Sequence, residues 1–192
     1  MIIGSHNSWS YLPVKQWYLR PIAFIARCQR INIKTQYTCY GVRCFDLRVR
    51  FKGDKLVIAH GIFEYECNFA DLTSNLKYLN IRRDCCVRVI HEVRKEEDYT
   101  PEAVNNFREF CCYLTQEYEG IKFWCGRNLY NWDVDYTFDY NPSCEENYSS
   151  VKTPKIIDDW FPWLYAKLHN KKIYKKGTDK DILLIDFVDI NR

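Results

Sequence analysis

The chain lacks long apolar runs. Nowhere in its 192 residues does it reach the roughly 20 consecutive apolar residues needed to span a bilayer, so any membrane contact is expected to be peripheral. Glycine and proline are scarce, at seven and six, which excludes collagen-like and low-complexity chains. A strong excess of one charge is missing too. The net charge of +3 is too small to imply a nucleic-acid partner, which usually demands a clustered basic face. Six lysines, Lys167, Lys171, Lys172, Lys175, Lys176 and Lys180, do gather around His169, and they read as a solvated face. No basic and apolar leader precedes the first motif, so no signal peptide is expected. No Cys-x2-Cys pair recurs at ribbon or finger spacing, which speaks against zinc. No Gly-x-Gly-x-x-Gly follows the first apolar run, which speaks against a dinucleotide fold.

What is present is a dense globular composition, 47% hydrophobic and 17% aromatic, of a length suited to one domain over residues 1–192. Ten cysteines include the adjacent pairs Cys85-Cys86 and Cys111-Cys112 inside apolar segments, where Cys acts as a small hydrophobe. Free thiols, and a cytoplasmic or otherwise reducing compartment, are the expectation.

The opening Met1-Ile2-Ile3-Gly4-Ser5-His6-Asn7 reads as a buried strand that delivers a histidine to its C-terminal end. A long connection follows, with Pro13 and Pro21 as breaks. Asn32 is an N-cap candidate for a helix that Gly41 ends. Alternation over residues 42–51 sets Asp46 and Arg48 side by side on one face. Gly53-Asp54 breaks the chain before the strand Lys55–His60, which Gly61 ends. Asn68 opens a helix to about Asn80. Residues 85–93 form an apolar strand on which alternation groups Arg88, Ile90, Glu92 and Arg94. Thr100-Pro101-Glu102 starts a further helix, and residues 121–125 form a short strand. Residues 126–151 show no period, with room for one irregular strand. Thr153-Pro154 is another helix start, residues 172–174 a possible strand, and Asp181–Asp189 a last strand. Strand alternating with helix gives an α/β class with a parallel sheet. Trp9, Tyr11, Trp17, Trp160 and Trp163 fall at core-like spacing.

Three blocks in order, Gly4-Ser5-His6-Asn7-Ser8, Gly41-Val42-Arg43-x-x-Asp46-Leu47-Arg48 and Ile58-Ala59-His60-Gly61, resemble the X-domain superfamily of phosphatidylinositol-specific phospholipases C. Gln29-x-x-x-Ile33-x-x-Gln36 and the closing Leu184-Ile185-Asp186-Phe187-Val188 extend the resemblance across the chain. It implies a single compact, distorted TIM β/α-barrel with parallel strands. It also implies phosphodiester cleavage through a cyclic phosphate, with His6 as general base, His60 as general acid and Arg48 holding the phosphate. Asp46 would orient Arg48 or His60, and Asp186 would fix the His6 tautomer. Asn7, Glu92 and Arg94 would bind substrate, with His91 packed away from the pocket.

Asn7 resembles the calcium-dependent branch, whereas Arg48 resembles the metal-independent bacterial one. A guanidinium cannot ligate calcium, which wants several oxygens. No metal is therefore expected, and a calcium set of Asn7, Asp46 and Glu92 is the minority alternative. The expected partner of a monomeric enzyme is a phospholipid or other phosphodiester. The rivals are a metal-dependent enzyme that cleaves glycerophosphodiesters and a catalytically inactive lipid or inositol-phosphate binding module.

Overall fold

The computed structural model describes residues 1–93, 99–125, 138–146 and 160–190. Strand β1 (Ile2–Ser5) leads through 3-10 turns at Trp17–Ile25 to helix α1 (Ile33–Tyr40). Strands β2 (Cys44–Lys52), β3 (Lys55–His60) and β4 (Phe63–Glu64) follow, then helix α2 (Phe69–Asn80), strand β5 (Cys85–His91), helix α3 (Pro101–Glu117) and strand β6 (Ile121–Cys125). Strand β7 (Cys144–Glu146), helix α4 (Pro162–Lys176) and strand β8 (Ile182–Ile185) complete the described elements. The predicted caps form. Asn32, Asn68 and Thr100 accept hydrogen bonds from the amides of Thr35, Asp71 and Ala103, each satisfying a donor that the first helical turn leaves open. Gly41 closes α1 at φ 62, a left-handed conformation that costs glycine least.

Six strands run parallel in the order β7-β8-β1-β2-β5-β6. Cys44 pairs with Gly4 of β1 and also with Cys86 of β5, so those strands flank opposite edges of β2. Strand β2 has nine residues against the four of β1, and it outruns its neighbour. Strand β3 takes the freed edge antiparallel, with Val49 opposite Ile58. The two residues Gly53 and Asp54 that join β2 to β3 suffice for a hairpin, whereas a parallel crossover needs a dozen or more.

The sheet is therefore mixed and curled into an incomplete barrel. This corrects the expectation of an all-parallel barrel: among the described residues β6 and β7 share no ladder. Two further expectations change. Residues 172–174 belong to α4, and the last strand stops at Ile185, because the chain turns at Phe187, φ 48. The helix start at Thr153-Pro154 lies outside the described residues.

The outward faces of the strands, with Phe45, Leu47, Val49, Val87 and Val89, pack on Leu72, Leu76, Leu79, Phe107 and Leu114 of the helices as the main core. The inward face has a second, smaller cluster of Cys44, Cys86, Trp124, Ile182 and Leu184 at its base. Gly4 is required there. A Cβ on it would lie 2.5 Å from Leu184 Cδ2 and 3.1 Å from the Cys44 carbonyl oxygen, so any side chain there would displace Leu184 and crowd the β2 backbone. Above this base, the inward face is charged.

Candidate active site

His6 lies one residue beyond β1, and Asp186 one residue beyond the paired β8, where Ser5 stands opposite Ile185. Their side chains meet with His6 Nδ1 2.7 Å from Asp186 Oδ1. Gln29 pins this seam: its Nε2 donates to the carbonyls of His6 and Ile185, while its Oε1 accepts from the amide of Val188. Gln36 donates to the carbonyls of Ser8 and Ile31. The Gln29 and Gln36 positions of the motif thus act on backbone.

On β2, Arg48 Nε donates to Asp46 Oδ2 at 2.9 Å, and Arg48 Nη2 lies 2.7 Å from His6 Nε2. A guanidinium only donates, so this contact makes Nε2 the acceptor and leaves the ring proton on Nδ1, facing Asp186. Burial acts most strongly on His6 and opposes its charge. The carboxylate of Asp186, helped by Glu146 and opposed by Arg48, nevertheless raises its pKa above 6.5, which strengthens the ring as a proton acceptor. His60 shifts the other way. Burial, then Arg48 and His6, lower its pKa against the pull of Glu92. Its Nδ1 lies 3.1 Å from the Ala26 carbonyl oxygen, and its ring stands 6.0 Å from that of His6 at 89°.

His60 arrives by an unpredicted route. Strand β3 runs antiparallel, and the hairpin register carries the imidazole back down to the level of Leu47 and Arg48. Glu92 supports this end, with Oε1 accepting from the Gly61 amide at 2.8 Å and Oε2 3.5 Å from Arg48 Nη1. Arg50 Nε donates to the Glu92 carbonyl. Asn7, at φ 42, is buried, and its backbone N–H donates to Asp46 Oδ2 at 2.8 Å. Arg94 lies outside the described residues. His91 faces away, stacked on Phe107 at 4.9 Å.

Three residues not singled out from the sequence belong to this constellation. Arg88 bridges Asp46 Oδ1 and Glu146 Oε1, both at 2.7 Å. Glu146 also lies 4.0 Å from His6 Nε2 and 3.7 Å from Arg48 Nη2. Burial opposes its charge, but Arg88, His6 and Arg48 prevail and bring its pKa down to about 2. Asp46 is held low in the same way, with Arg48 and Arg88 outweighing its burial.

The third is Cys28, and it overturns the expectation that no metal is held here. His6, Cys28 and Asp186 each offer one ligand atom, all within 4.8 Å of one another, and all three residues are buried. The minority calcium set does not form in its place, because both carboxylate oxygens of Asp46 are engaged by arginines. One nitrogen, one sulfur and one oxygen suit a borderline-soft divalent ion such as zinc, with a coordination position left open, rather than calcium. Charge agrees. Asp46, Glu92 and Glu146 face the guanidiniums of Arg48 and Arg88, and Asp186 faces His6, so four carboxylates gather around two guanidiniums and one imidazole, a setting that accepts a cation.

No protein-family model matches the chain, and no curated protein matches it. Solved structures do. Phosphatidylinositol-specific phospholipase C from Listeria monocytogenes is similar over 97% of this chain and 87% of its own, with a TM-score of 0.63 and 15% identity. The fold is phospholipase C-like. The phosphatidylinositol-specific phospholipase C of S. aureus, from a structure concerned with modulation of its membrane binding, is similar over 97% of this chain and 85% of its own, with a TM-score of 0.59 and 15% identity. At this identity the likeness is one of fold alone, in an incomplete-barrel form.

The aromatic residues expected in the core divide. Trp9 is fully buried, but Trp17, Trp160 and Trp163 are 77%, 57% and 44% exposed. With Tyr18, Phe24 and Phe161, also exposed, they extend along the 3-10 turns and the start of α4, where Phe24 stacks on Phe161. No helix among the described residues is long and apolar enough to cross a membrane.

Proposed function

We propose that the chain is a metal-assisted phosphodiesterase acting at the mouth formed by His6, Arg48, His60 and Asp186. The observation that carries this reading is the placement of a three-ligand group, His6, Cys28 and Asp186, directly beside a guanidinium and a second imidazole. An ion held by that group would displace the proton that His6 shares with Asp186 and would supply Lewis-acid charge against the phosphate. The chain's own residues do the rest. Arg48 meets the phosphate with a planar fork that suits bidentate contact, and Asp46 sets the direction of that fork. Arg48 and Arg88 keep Asp46 ionised, and Glu146 holds the far side of Arg88. His60, its ring 6.0 Å from that of His6, is placed to give a proton to the departing oxygen. Glu92 holds the His60 end of the pocket through Gly61.

A second reading is favoured by the His6 contacts. With Nδ1 facing Asp186 and Nε2 free of a proton, His6 can accept the proton of a substrate hydroxyl. That hydroxyl then attacks phosphorus and yields a cyclic phosphate, while His60 protonates the leaving group.

Phosphorus NMR on protein stripped of metal and reloaded with zinc, using inositol and glycerol phosphodiesters, separates the two. Turnover lost on stripping and restored by zinc, with an acyclic monoester as first product, supports the metal-assisted reading. A cyclic product formed equally well by stripped protein transfers the assignment to the second. No cleavage of any diester, with vesicle binding that survives His6→Ala and His60→Ala, makes the chain a binding module. The exposed aromatics ending beside Ala26, whose carbonyl contacts His60, and the exposed lysines of α4 support peripheral contact with an anionic lipid surface.

A further inference from the structure

Beneath the charged layer lies a layer of sulfur that the phosphodiesterase reading does not use. Strands β2 and β5 pair Cys44 with Cys86 and, two residues on, Asp46 with Arg88. Strand β7 carries Cys144 two residues before Glu146. With a side-chain period of two, Cys44, Cys86 and Cys144 occupy the same inward face as Asp46, Arg88 and Glu146, one step lower. Cys44 and Cys86 are buried in the small base cluster, with Tyr140 and Cys144 packed on it. They are directly opposed in register, a placement that brings Cα atoms within the span a disulfide bridges.

The surroundings of Cys86 differ from those of the other buried thiols. Lys122 is its partner across the β5 and β6 ladder; that lysine is exposed and stands 5.4 Å from the Tyr140 ring. Cys44 directly opposite it, then Tyr140 packed on the same cluster and Lys122 across the ladder, lower its pKa despite burial. Burial instead pushes the thiol of Cys44 well up. A thiol facing a lysine across one ladder and a directly opposed second thiol across the other is placed as an attacking and a resolving cysteine.

We propose that Cys86 is a peroxide-reactive thiol and that Cys44 resolves it, forming a reversible Cys44–Cys86 disulfide inside the half-barrel. In the first step the Cys86 thiolate attacks hydrogen peroxide. The O–O bond breaks, an S–O bond forms, and the departing hydroxide takes up the proton released by the Cys86 thiol, giving water and a sulfenic acid. In the second, Cys44 sulfur attacks Cys86 sulfur, an S–S bond forms and the S–O bond breaks. The hydroxide leaves with the Cys44 proton as a second water. Two thiols are oxidised and one peroxide is reduced. The bond would tie β2 to β5 one step below the Asp46–Arg88 ion pair, whichever reaction that pair serves.

The test is thiol mapping on the full chain after brief hydrogen peroxide treatment, denaturation and alkylation. All ten cysteines are free, and the exposed Cys39 and Cys112 are internal controls. The expected result is loss of two alkylatable thiols, a cross-linked peptide pair containing Cys44 and Cys86, and recovery with dithiothreitol. In Cys44→Ala, a 1,3-dione should trap a sulfenic acid at Cys86. Oxidation confined to Cys39 and Cys112, with Cys44 and Cys86 recovered as thiols in the parent protein, overturns the proposal. A link from Cys86 to Cys144 overturns the assignment of Cys44. The mapping of the parent protein decides without any variant having to fold.

Discussion

The two histidines at the mouth of the half-barrel are held in opposite ways. His6 sits on the seam of two parallel strands, with Asp186 on one ring nitrogen and Arg48 on the other, and with Gln29 fastening the backbone on either side. His60 comes in on an antiparallel hairpin, and its Nδ1 meets the Ala26 carbonyl, which also accepts from Tyr65 Oη at 3.0 Å. A ring fixed at both nitrogens keeps one tautomer and one direction. A ring held at one nitrogen can turn toward whatever enters. The fixed arm is built for positioning and the hairpin arm for adapting to substrate.

Substitutions can break that contrast. Arg48→Lys should have the largest effect. A point charge cannot hold His6, Asp46 and Glu92 at once, and kcat for phosphodiester cleavage should fall by about 10²–10³-fold, the usual cost of losing one oriented donor at a developing charge, with little change in KM. An unchanged kcat would remove Arg48 from the reaction. Asp186→Asn comes next. It removes the negative charge from one of the three ligands and from the group facing His6 Nδ1, so zinc affinity should drop about 10–100-fold in equilibrium dialysis; retention of zinc at parental affinity would place the ion elsewhere. Gln29→Ala should cost about 1–3 kcal/mol in urea unfolding, the penalty for buried backbone groups left unsatisfied. Tyr65→Phe, on the adaptable arm, should change kcat by less than about threefold. A larger loss would show that His60 is as rigidly placed as His6.

A third histidine sharpens the comparison from behind the sheet. Burial, then Arg50, bring the pKa of His91 down to about 4 against the pull of Glu92. The unfolded chain takes up that proton near 6.5, so between pH 6.5 and 4 the unfolded state binds more protons than the folded one, and stability falls as the pH falls through that window. His91→Phe, which keeps the stacking on Phe107, should flatten the dependence of Tm on pH across it. An equally steep fall in the variant would assign the acid sensitivity to other groups. The Glu146 window lies lower, from about 4.5 to about 2, with the same sign.

The His6, Asp46, Arg48, His60 and Asp186 set was expected from the resemblance, and these five side chains meet; alternation and the strand ends next to Gly showed only where each stands on its element. The helix caps were legible because Asn and Thr three residues ahead of an amide have one efficient use. The antiparallel course of β3 was also there to be read, since Gly53-Asp54 is too short for a crossover; the expectation of a parallel barrel overrode it. Arg88 was placed on the correct face of β5 but given no role, because its partner Glu146 lies in a stretch without a period. Cys28 carried no signal. Its 22-residue distance from His6 matches no metal motif, and only the return of the loop past Ser10, whose hydroxyl accepts from the amides of Cys28 and Gln29, brings the thiol inward. The exposure of Trp17, Trp160 and Trp163 was hidden for a related reason: spacing reports which residues share a face, and not whether anything covers it.

The position of β8 between β1 and β7 sets the order in which the protein can mature. The His6 and Asp186 contact joins residues 180 positions apart, and such non-local pairings are slow to form because the intervening chain must first be closed into a loop. Until β8 inserts, β1 presents an open edge of amides and carbonyls, a template for pairing with another chain. The seam that fixes the first histidine is thus expected to close late, and refolding yield should then depend on protein concentration more steeply than the short contacts of β2 with β3 alone would suggest.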